Sequence, residues 1–263
     1  MTAIWGILNV TPDSFSDGGR YLDPEIAVAH ARLLRAQGAA VIDVGGESTR
    51  PGSERVGVAE EQRRVLPVIA ALAADGVPVS IDTLNASTAA AAVQAGARIV
   101  NDVSGGLADP EMLAAVAASG ADFALGHWRG PSSDMYARAD YVRVGREVAG
   151  ELRDRMGIAA AAGIAPSRLI IDPGVGFAKT AEQNWELLRD LSDIVALGPR
   201  VLVGTSRKRL LATALGDDAT EERKDAATAV TSVLAARAGV WAVRVHNVAA
   251  TRDALSVLGA WDG

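Results

Sequence analysis

A carboxylate stands at the end of a short apolar run in this chain and is followed by a glycine-rich turn. Asp172 comes directly after the apolar residues 169–171 and opens the segment Asp-Pro-Gly-Val-Gly-Phe, which ends at Phe177. Glycines allow backbone conformations that other residues avoid, and they let a chain approach a ligand closely. The pattern predicts a buried strand that ends in a turn suited to holding a small molecule.

Polar residues also stand at the ends of other apolar runs. Asp82 ends residues 79–82, Asn101 ends residues 98–101, and Asp43 lies within residues 41–45. A buried carboxylate is unfavourable unless it is paired, so these acids need hydrogen-bond donors or cations. Backbone amides or an arginine could satisfy any single one of them, but several polar groups on one rim favour a ligand site.

A cluster of basic residues follows the apolar residues 201–204. Ser206-Arg207-Lys208-Arg209 would begin a helix there, and positive side chains at a helix start favour a bound anion over a plain exposed charge run. Arg244 and His246 alternate along the last apolar run and so share one face. With Arg50 as a further cation, these residues predict a pocket that suits a diphosphate.

Two turn-rich segments could cover such a pocket. Residues 9–19 and 45–52 follow the first two apolar runs and are rich in glycine and small polar residues. These compositions predict a pair of loops that close over the site.

The apolar runs define the elements that position these groups. Short β-branched segments alternate with helix-like stretches, and we predict strands at about residues 3–10, 41–45, 77–82, 98–101, 123–127, 169–172, 201–204 and 243–245. Eight such repeats and a typical size of roughly 250 residues favour a (β/α)8 barrel, which is an α/β fold, as a single domain over residues 1–263. An open doubly wound sheet would show a glycine fingerprint after its first strand, which is missing from residues 6–9.

Local signals also predict details of the helices. Asp23-Pro24-Glu25 and Asp109-Pro110-Glu111 are typical helix starts, with an aspartate cap and a proline in the first turn. Pro67 predicts a kink or a late start for the helix within residues 58–72. We expect one buried stripe on the first helix, formed by Ile26, Ala29, Leu33 and Leu34.

Composition limits the class of protein. The chain has no cysteine, so disulfides, thiolate metal sites and cysteine nucleophiles are excluded. Its net charge of −6 and scattered basic residues argue against a nucleic-acid partner. No apolar run approaches the ~20 residues of a membrane span. We expect a cytoplasmic protein that acts on small molecules.

Taken together, these segments resemble the dihydropteroate synthase family over nearly the whole chain. The resemblance rests on residues 6–19, 43–52, 80–83, 101–103, 172–177, 206–208 and 244–246, which occur in the family's order. It implies condensation of 6-hydroxymethyl-7,8-dihydropterin diphosphate with 4-aminobenzoate, with release of pyrophosphate through a pterin cation. It also implies a homodimer and Mg²⁺ as cofactor.

The resemblance assigns roles to individual residues. A pterin offers an amino group and a ring N–H side by side, which the Asp172 carboxylate can accept together. The pterin site would comprise Asp82, Asn101, Asp172 and Lys208. The diphosphate site would comprise Asn9, Arg50, Arg244 and His246, with Asn9 as the protein ligand of Mg²⁺. The 4-aminobenzoate site would comprise Thr49, Pro51, Phe177 and Ser206. The catalytic set would be Asp43, Asp82, Lys208, Arg244 and His246.

Two positions depart from the family pattern. Gly126 stands where a methionine is usual, which predicts a wider or wetter pterin pocket. Asn247 stands where an aspartate is usual, which predicts the loss of a charged partner for His246 or a nearby arginine. Two alternatives therefore stay open: a pterin-binding paralogue with weak or no activity, and a pterin-binding methyltransferase domain.

Overall fold

The computed structural model describes residues 2–11, 24–47, 56–130 and 139–263. Eight parallel strands pair in chain order and close into a barrel, which confirms the predicted (β/α)8 fold. The strands are β1 (Ala3–Asn9), β2 (Val41–Gly45), β3 (Val79–Asp82), β4 (Ile99–Asp102), β5 (Asp122–Gly126), β6 (Leu169–Asp172), β7 (Arg200–Val203) and β8 (Ala242–Val245).

Helices alternate with these strands. They are α1 (Pro24–Ala36), α2 (Val58–Ala74), α3 (Ala86–Gln94), α4 (Met112–Ser119), α5 (Val144–Ala161), α6 (Ala181–Arg189), α7 (Leu191–Val195), α8 (Ala212–Leu215), α9 (Glu221–Arg237) and α10 (Val248–Asp262). In the described part of the chain, no helix is both long enough and apolar enough to span a bilayer.

The inside of the barrel changes from apolar to polar along the strands. An apolar cluster fills its interior, formed by Trp5, Val41, Ile99, Ala124, Ile170, Leu202 and Ala242. Successive residues of a strand point to opposite faces, so residues two positions apart share the barrel interior. Two positions beyond members of this cluster stand Asp43, Asn101, Asp172 and Arg244. These polar side chains therefore lie inside the barrel at its carboxyl end, next to the apolar cluster.

The first helix buries a different face from the one predicted. α1 begins at Pro24 as expected, but its buried residues are Ala27, Val28, Ala31 and Leu34. Ile26 and Leu33 are 39% and 51% exposed, so the predicted stripe is wrong except at Leu34. Both sets of residues fit a helical period, and here the set that contains Ala27 and Leu34 is buried while Ile26 and Leu33 face outward.

The other helix signals had mixed outcomes. α4 begins at Met112, two residues later than predicted, and Asp109 Oδ1 accepts a hydrogen bond from the Glu111 amide at 3.0 Å. Asp109 Oδ2 also accepts from the Ala86 amide at the start of α3 at 2.8 Å. Pro67 lies inside the continuous helix α2, so a late start there is wrong.

The sequence predicts that the basic segment after β7 begins a helix, but residues 206–207 form a turn instead. A three-residue 3-10 helix (Arg209–Leu211) and the four-residue α8 follow it. Arg207 adopts a left-handed backbone conformation with φ of 57°. Any anion site here must therefore be formed by side chains and turn amides, without a helix N-terminus.

Candidate active site at the carboxyl end of the barrel

The centre of the site is one guanidinium shared by two carboxylates. Arg244 on β8 donates from Nε to Asp43 Oδ2 at 2.5 Å and from Nη2 to Asp82 Oδ2 at 2.6 Å. Asn101 Nδ2 donates to the same Asp43 oxygen at 3.1 Å. The cluster joins strands from across the barrel, and with both acids ionised it carries two negative charges for one positive charge.

Burial controls the protonation of this cluster. It raises the pKa of Asp82 to about 7, against the opposing effect of Arg244 and with a further contribution from the Asp43 charge. Burial lowers the pKa of Arg244, but the charges of Asp43 and Asp82 outweigh it and raise that pKa overall. Among the described residues, Asp43 Oδ1 and Ser80 Oγ are buried atoms without a hydrogen-bond partner. The interior of the barrel thus holds acceptor capacity that described side chains leave unused.

Asp172 and Lys208 form a second part of the site. Asp172 Oδ1 accepts a hydrogen bond from the Gly174 amide at 2.7 Å. Burial raises the pKa of Asp172, and the Lys208 charge acts in the opposite direction. Lys208 Nζ donates to the Val175 carbonyl at 2.5 Å and lies 4.8 Å from the centre of the Phe177 ring. Burial lowers the pKa of Lys208 to about 8, against the effect of Asp172.

Ser206 connects the basic segment to the last strand. Its Oγ lies 2.9 Å from His246 Nδ1 and accepts a hydrogen bond from the His246 amide at 3.1 Å. Residues predicted for the 4-aminobenzoate and diphosphate sites are therefore in direct contact with each other.

Arg207 does not belong to this pocket, contrary to the sequence prediction for the basic cluster. Its Nε and Nη2 pair with both carboxylate oxygens of Asp225 at 2.8 and 2.9 Å, and its Nη1 pairs with Glu221 at 2.7 Å. Arg207 instead fixes the turn after β7 against α9.

Asn9 ends β1 beside the acid cluster. A Cβ built on Gly45 would lie 3.7 Å from Asn9 Oδ1 and 3.8 Å from Asp82 Oδ2, so both oxygens flank that glycine. Within the described residues there is no group of three or more acidic or histidine side chains that could hold a metal. Mg²⁺ usually takes one or two protein oxygens together with substrate phosphates, and the Asn9 amide oxygen fits that mode.

The structure brings together most of the predicted site residues. Asp43, Asp82, Asn101, Asp172, Phe177, Ser206, Lys208, Arg244 and His246 lie at or just beyond the carboxyl ends of the strands, and Asn9 joins them. Thr49, Arg50 and Pro51 lie outside the described residues, as do most residues of the two predicted covering loops.

Backbone lies directly beside Gly126, and the wider or wetter pterin pocket expected from its missing side chain stays a prediction. A Cβ at this position would lie 2.5 Å from the Val103 carbonyl oxygen and 2.6 Å from Val103 Cα. Backbone therefore occupies the place where a side chain at position 126 would begin.

Asn247 is well partnered where it stands. Its side-chain oxygen accepts from the Ala250 amide at 3.0 Å and caps α10, and its Nδ2 donates to Asp225 Oδ2 at 3.2 Å. The Asp225 carboxylate also interacts electrostatically with His246. A charged partner is thus present at this corner, supplied by α9, and the predicted loss of charge is wrong.

Sequence reasoning missed one buried cation. Lys179, which is 1% exposed, lies with its Nζ 3.0 Å from His127 Nδ1. His127 is buried, and its Nε2 lies 2.9 Å from Glu151 Oε2, as expected of a satisfied structural histidine. Burial and the Lys179 charge lower the pKa of His127 to about 4, so the ring is neutral. The available signal was the rarity of lysine, with three in the chain.

The barrel and its charged rim define an enzyme that acts on small molecules, and the family model described as pterin binding enzyme matches residues 5–246. The chain belongs to that family. The dihydropteroate synthase of Mycobacterium leprae (strain TN) is 53% identical over 261 residues, covering 97% of this chain and 92% of the relative. Within the family the chain is one of the dihydropteroate synthases, the transferases of folate biosynthesis.

Solved structures agree with this assignment. Xanthomonas albilineans dihydropteroate synthase with 4-aminobenzoic acid has a TM-score of 0.93 and 44% identity, covering 100% of this chain and 93% of that chain. The Xanthomonas albilineans enzyme in complex with 7,8-dihydropteroate has a TM-score of 0.89 and 41% identity, covering 100% and 94%.

The contact at Gly126 gives a stability prediction. Gly126→Ala should lower the free energy of unfolding by roughly 2 kcal/mol, because the new Cβ overpacks against Val103 backbone that cannot move freely. Urea unfolding followed by circular dichroism measures the change. Gly150→Ala within α5 is the control: a Cβ there meets nothing within 4 Å, so stability should stay equal or rise. Equal stability of both variants would contradict the proposed close packing.

Proposed function

We propose that this barrel condenses 6-hydroxymethyl-7,8-dihydropterin diphosphate with 4-aminobenzoate, passing through a pterin cation and releasing pyrophosphate. The observation that supports this most directly is the buried cluster of Asp43, Asp82 and Arg244, which carries an excess negative charge at the rim of the barrel when both acids are ionised. Preorganised charge in a site of low dielectric is the main way to stabilise charge that develops during a reaction.

Asp172 is the proposed anchor of the pterin ring. One of its oxygens accepts a hydrogen bond from the Gly174 amide, and this bond orients the carboxylate. A carboxylate retains further acceptor sites after one such bond, enough for an amino group and a ring N–H of the pterin. Asn101, Asp82 and Lys208 would contact the same ring.

The acid cluster would then stabilise the cation. When the diphosphate leaves, the pterin carries a positive charge. The net negative charge of the cluster would attract and stabilise that cation. The unused Asp43 Oδ1 directs acceptor capacity to the interior of the barrel. These groups need not form a covalent bond with the substrate.

The departing diphosphate needs cations. Arg244 keeps 17% of its side chain exposed while it holds both carboxylates, so it can also face the substrate. His246 would contact the same group, with Arg50 as a further prediction. Mg²⁺, held through Asn9 and the substrate, would supply charge neutralisation for the leaving group.

The 4-aminobenzoate site would lie between Phe177, Ser206 and Lys208. The Lys208 ammonium already lies over the Phe177 ring, so an aromatic carboxylate could stack on one and pair with the other. Thr49 and Pro51 complete the predicted site. The aniline nitrogen is neutral at pH 7, so its attack on the cation requires no strong general base.

We also propose a homodimer that forms through α9 and α10, which pack against each other. Each helix exposes a pair of large apolar side chains four residues apart: Val230 and Leu234 on α9, and Val257 and Trp261 on α10. Leu234 is 59% exposed and Trp261 is 80% exposed. Exposed apolar groups of this extent are typical of interaction surfaces.

A cytoplasmic location stays a prediction from the composition.

The decisive experiment measures pyrophosphate release with the pterin diphosphate and Mg²⁺, with and without 4-aminobenzoate. We expect release coupled to stoichiometric formation of 7,8-dihydropteroate. Binding of the pterin diphosphate without any product would overturn the proposal in favour of the silent paralogue.

The role of Asp172 predicts a specific loss of binding. Asp172→Asn should weaken pterin binding at least about 30-fold, since a charge-assisted hydrogen bond contributes roughly 2 kcal/mol. Isothermal titration calorimetry measures the dissociation constant. Asp193→Asn, an exposed position on α7, is the control and should bind like the unaltered protein. Unchanged affinity in Asp172→Asn would refute the anchor.

The dimer prediction concerns one exposed face. Sedimentation velocity at micromolar concentration should give a dimer, and Leu234→Glu should shift it to monomer because a carboxylate would be buried unpaired in the interface. Leu107→Glu, which lies at an exposed position outside α9 and α10, should remain dimeric. A monomer in the unaltered protein would defeat the proposal.

A further inference from the structure

The loop after β6 carries Phe177 and has an unusual backbone. Gly174 and Gly176 have φ values of 67° and 85°, and Ala178 has a φ of 50° despite its side chain. Such conformations persist when the surrounding structure fixes them. The loop therefore depends on contacts from outside its own sequence.

Lys179 provides contacts at both ends of this turn. Its Nζ donates to the Gly174 carbonyl at 3.1 Å and to the Phe177 carbonyl at 3.0 Å, and it lies 3.0 Å from His127 Nδ1. An ammonium has three N–H donors, and three acceptors surround it here. The Phe177 amide itself donates to the Gly174 carbonyl at 3.0 Å, which closes the turn that Lys179 holds.

Neighbouring groups hold Lys179 and the loop in turn. The neutral His127 ring accepts from Lys179 at Nδ1, so its Nε2–H donates to Glu151. The His127 amide donates to the Asp172 carbonyl at 2.9 Å, which ties this network to the end of β6. Asn184 Oδ1 accepts from the Gly176 amide at 2.6 Å. Lys179 thus lies at the centre of the contacts that shape the turn 174–177.

We propose that Lys179 is a positioning residue that holds the turn 174–177 so that Phe177 presents its ring to 4-aminobenzoate. This inference rests on the proposed assignment of Phe177 to that substrate. Lys179 is 1% exposed and acts through the turn rather than on the substrate itself. The pterin anchor Asp172 is the last residue of β6, which pairs with β5, and its carbonyl accepts a hydrogen bond from the His127 amide, so its backbone is held without Lys179 Nζ. Loss of Lys179 should therefore affect one substrate more than the other.

Steady-state kinetics with each substrate varied tests this separation. Burial lowers the pKa of Lys179 to about 7, against the effect of the Asp172 charge, so assays at pH 6.5 keep the ammonium in the larger fraction. Lys179→Met should raise KM for 4-aminobenzoate about 10-fold and change KM for the pterin diphosphate less than about twofold. Lys179→Gln, which keeps two N–H donors, should lie between Lys179→Met and the unaltered protein.

A double-mutant cycle tests whether Lys179 acts through Phe177. In a Phe177→Ala background, Lys179→Met should add less than about twofold to KM for 4-aminobenzoate, because coupled residues are not additive. Lys224→Met on α9 is the matched control and should leave both KM values unchanged. Equal loss for both substrates, or full additivity with Phe177→Ala, would overturn the proposal.

Amide hydrogen exchange provides a readout that does not require catalysis. In Lys179→Met the amides of residues 175–177 should exchange faster than in the unaltered protein, while those of β6 stay protected. If Lys179→Met does not fold, Lys179→Gln carries the same comparison. Unaltered exchange at residues 175–177 would overturn the positioning role even if the protein makes dihydropteroate. Faster exchange in Lys179→Met, together with no product formation by the unaltered protein, would instead mean that the proposed reaction is wrong.

Discussion

The site depends on one requirement: two carboxylates buried inside a barrel must share a single guanidinium. Isolated charges in an apolar interior are strongly unfavourable, and removal of one partner from such a cluster leaves the others uncompensated. Arg244 lies 201 residues from Asp43 and 162 residues from Asp82 along the chain. Their contact exists because the barrel closes β8 onto β1. Closure of the barrel therefore brings Arg244 to both carboxylates.

The apolar layer beneath the cluster gives these charges their strength. Trp5, Ile170 and their neighbours fill the interior below the rim, so the carboxylates are surrounded by packed side chains on that side. Electrostatic interactions weaken in a high dielectric and strengthen where water is excluded. The same burial that makes the cluster unfavourable in isolation makes its excess negative charge effective toward a cation. A stable barrel and a useful field thus arise from the same arrangement.

The strands and the polar rim could be predicted from sequence because both follow from local pattern. A polar residue two positions beyond an inward-facing apolar one must lie on the same face, so Asp172 and Asn101 are placed by alternation alone. The buried face of α1 could not be predicted in this way, since Ile26 and Ala27 each fit a helical period. Lys179 was missed for a related reason. Its partners are His127, which follows β5, and the carbonyls of a folded turn, and the residue pattern shows neither contact.

The departures at Gly126 and Asn247 show that the residue type at one position does not by itself predict the packing or the charge around it. The backbone of Val103 occupies the space beside Gly126, so a side chain at position 126 would meet the loop after β4. Asp225 supplies a carboxylate beside Asn247, whose amide caps α10 and donates to that acid. In both places the effect of a residue depends on a neighbour that is distant in sequence.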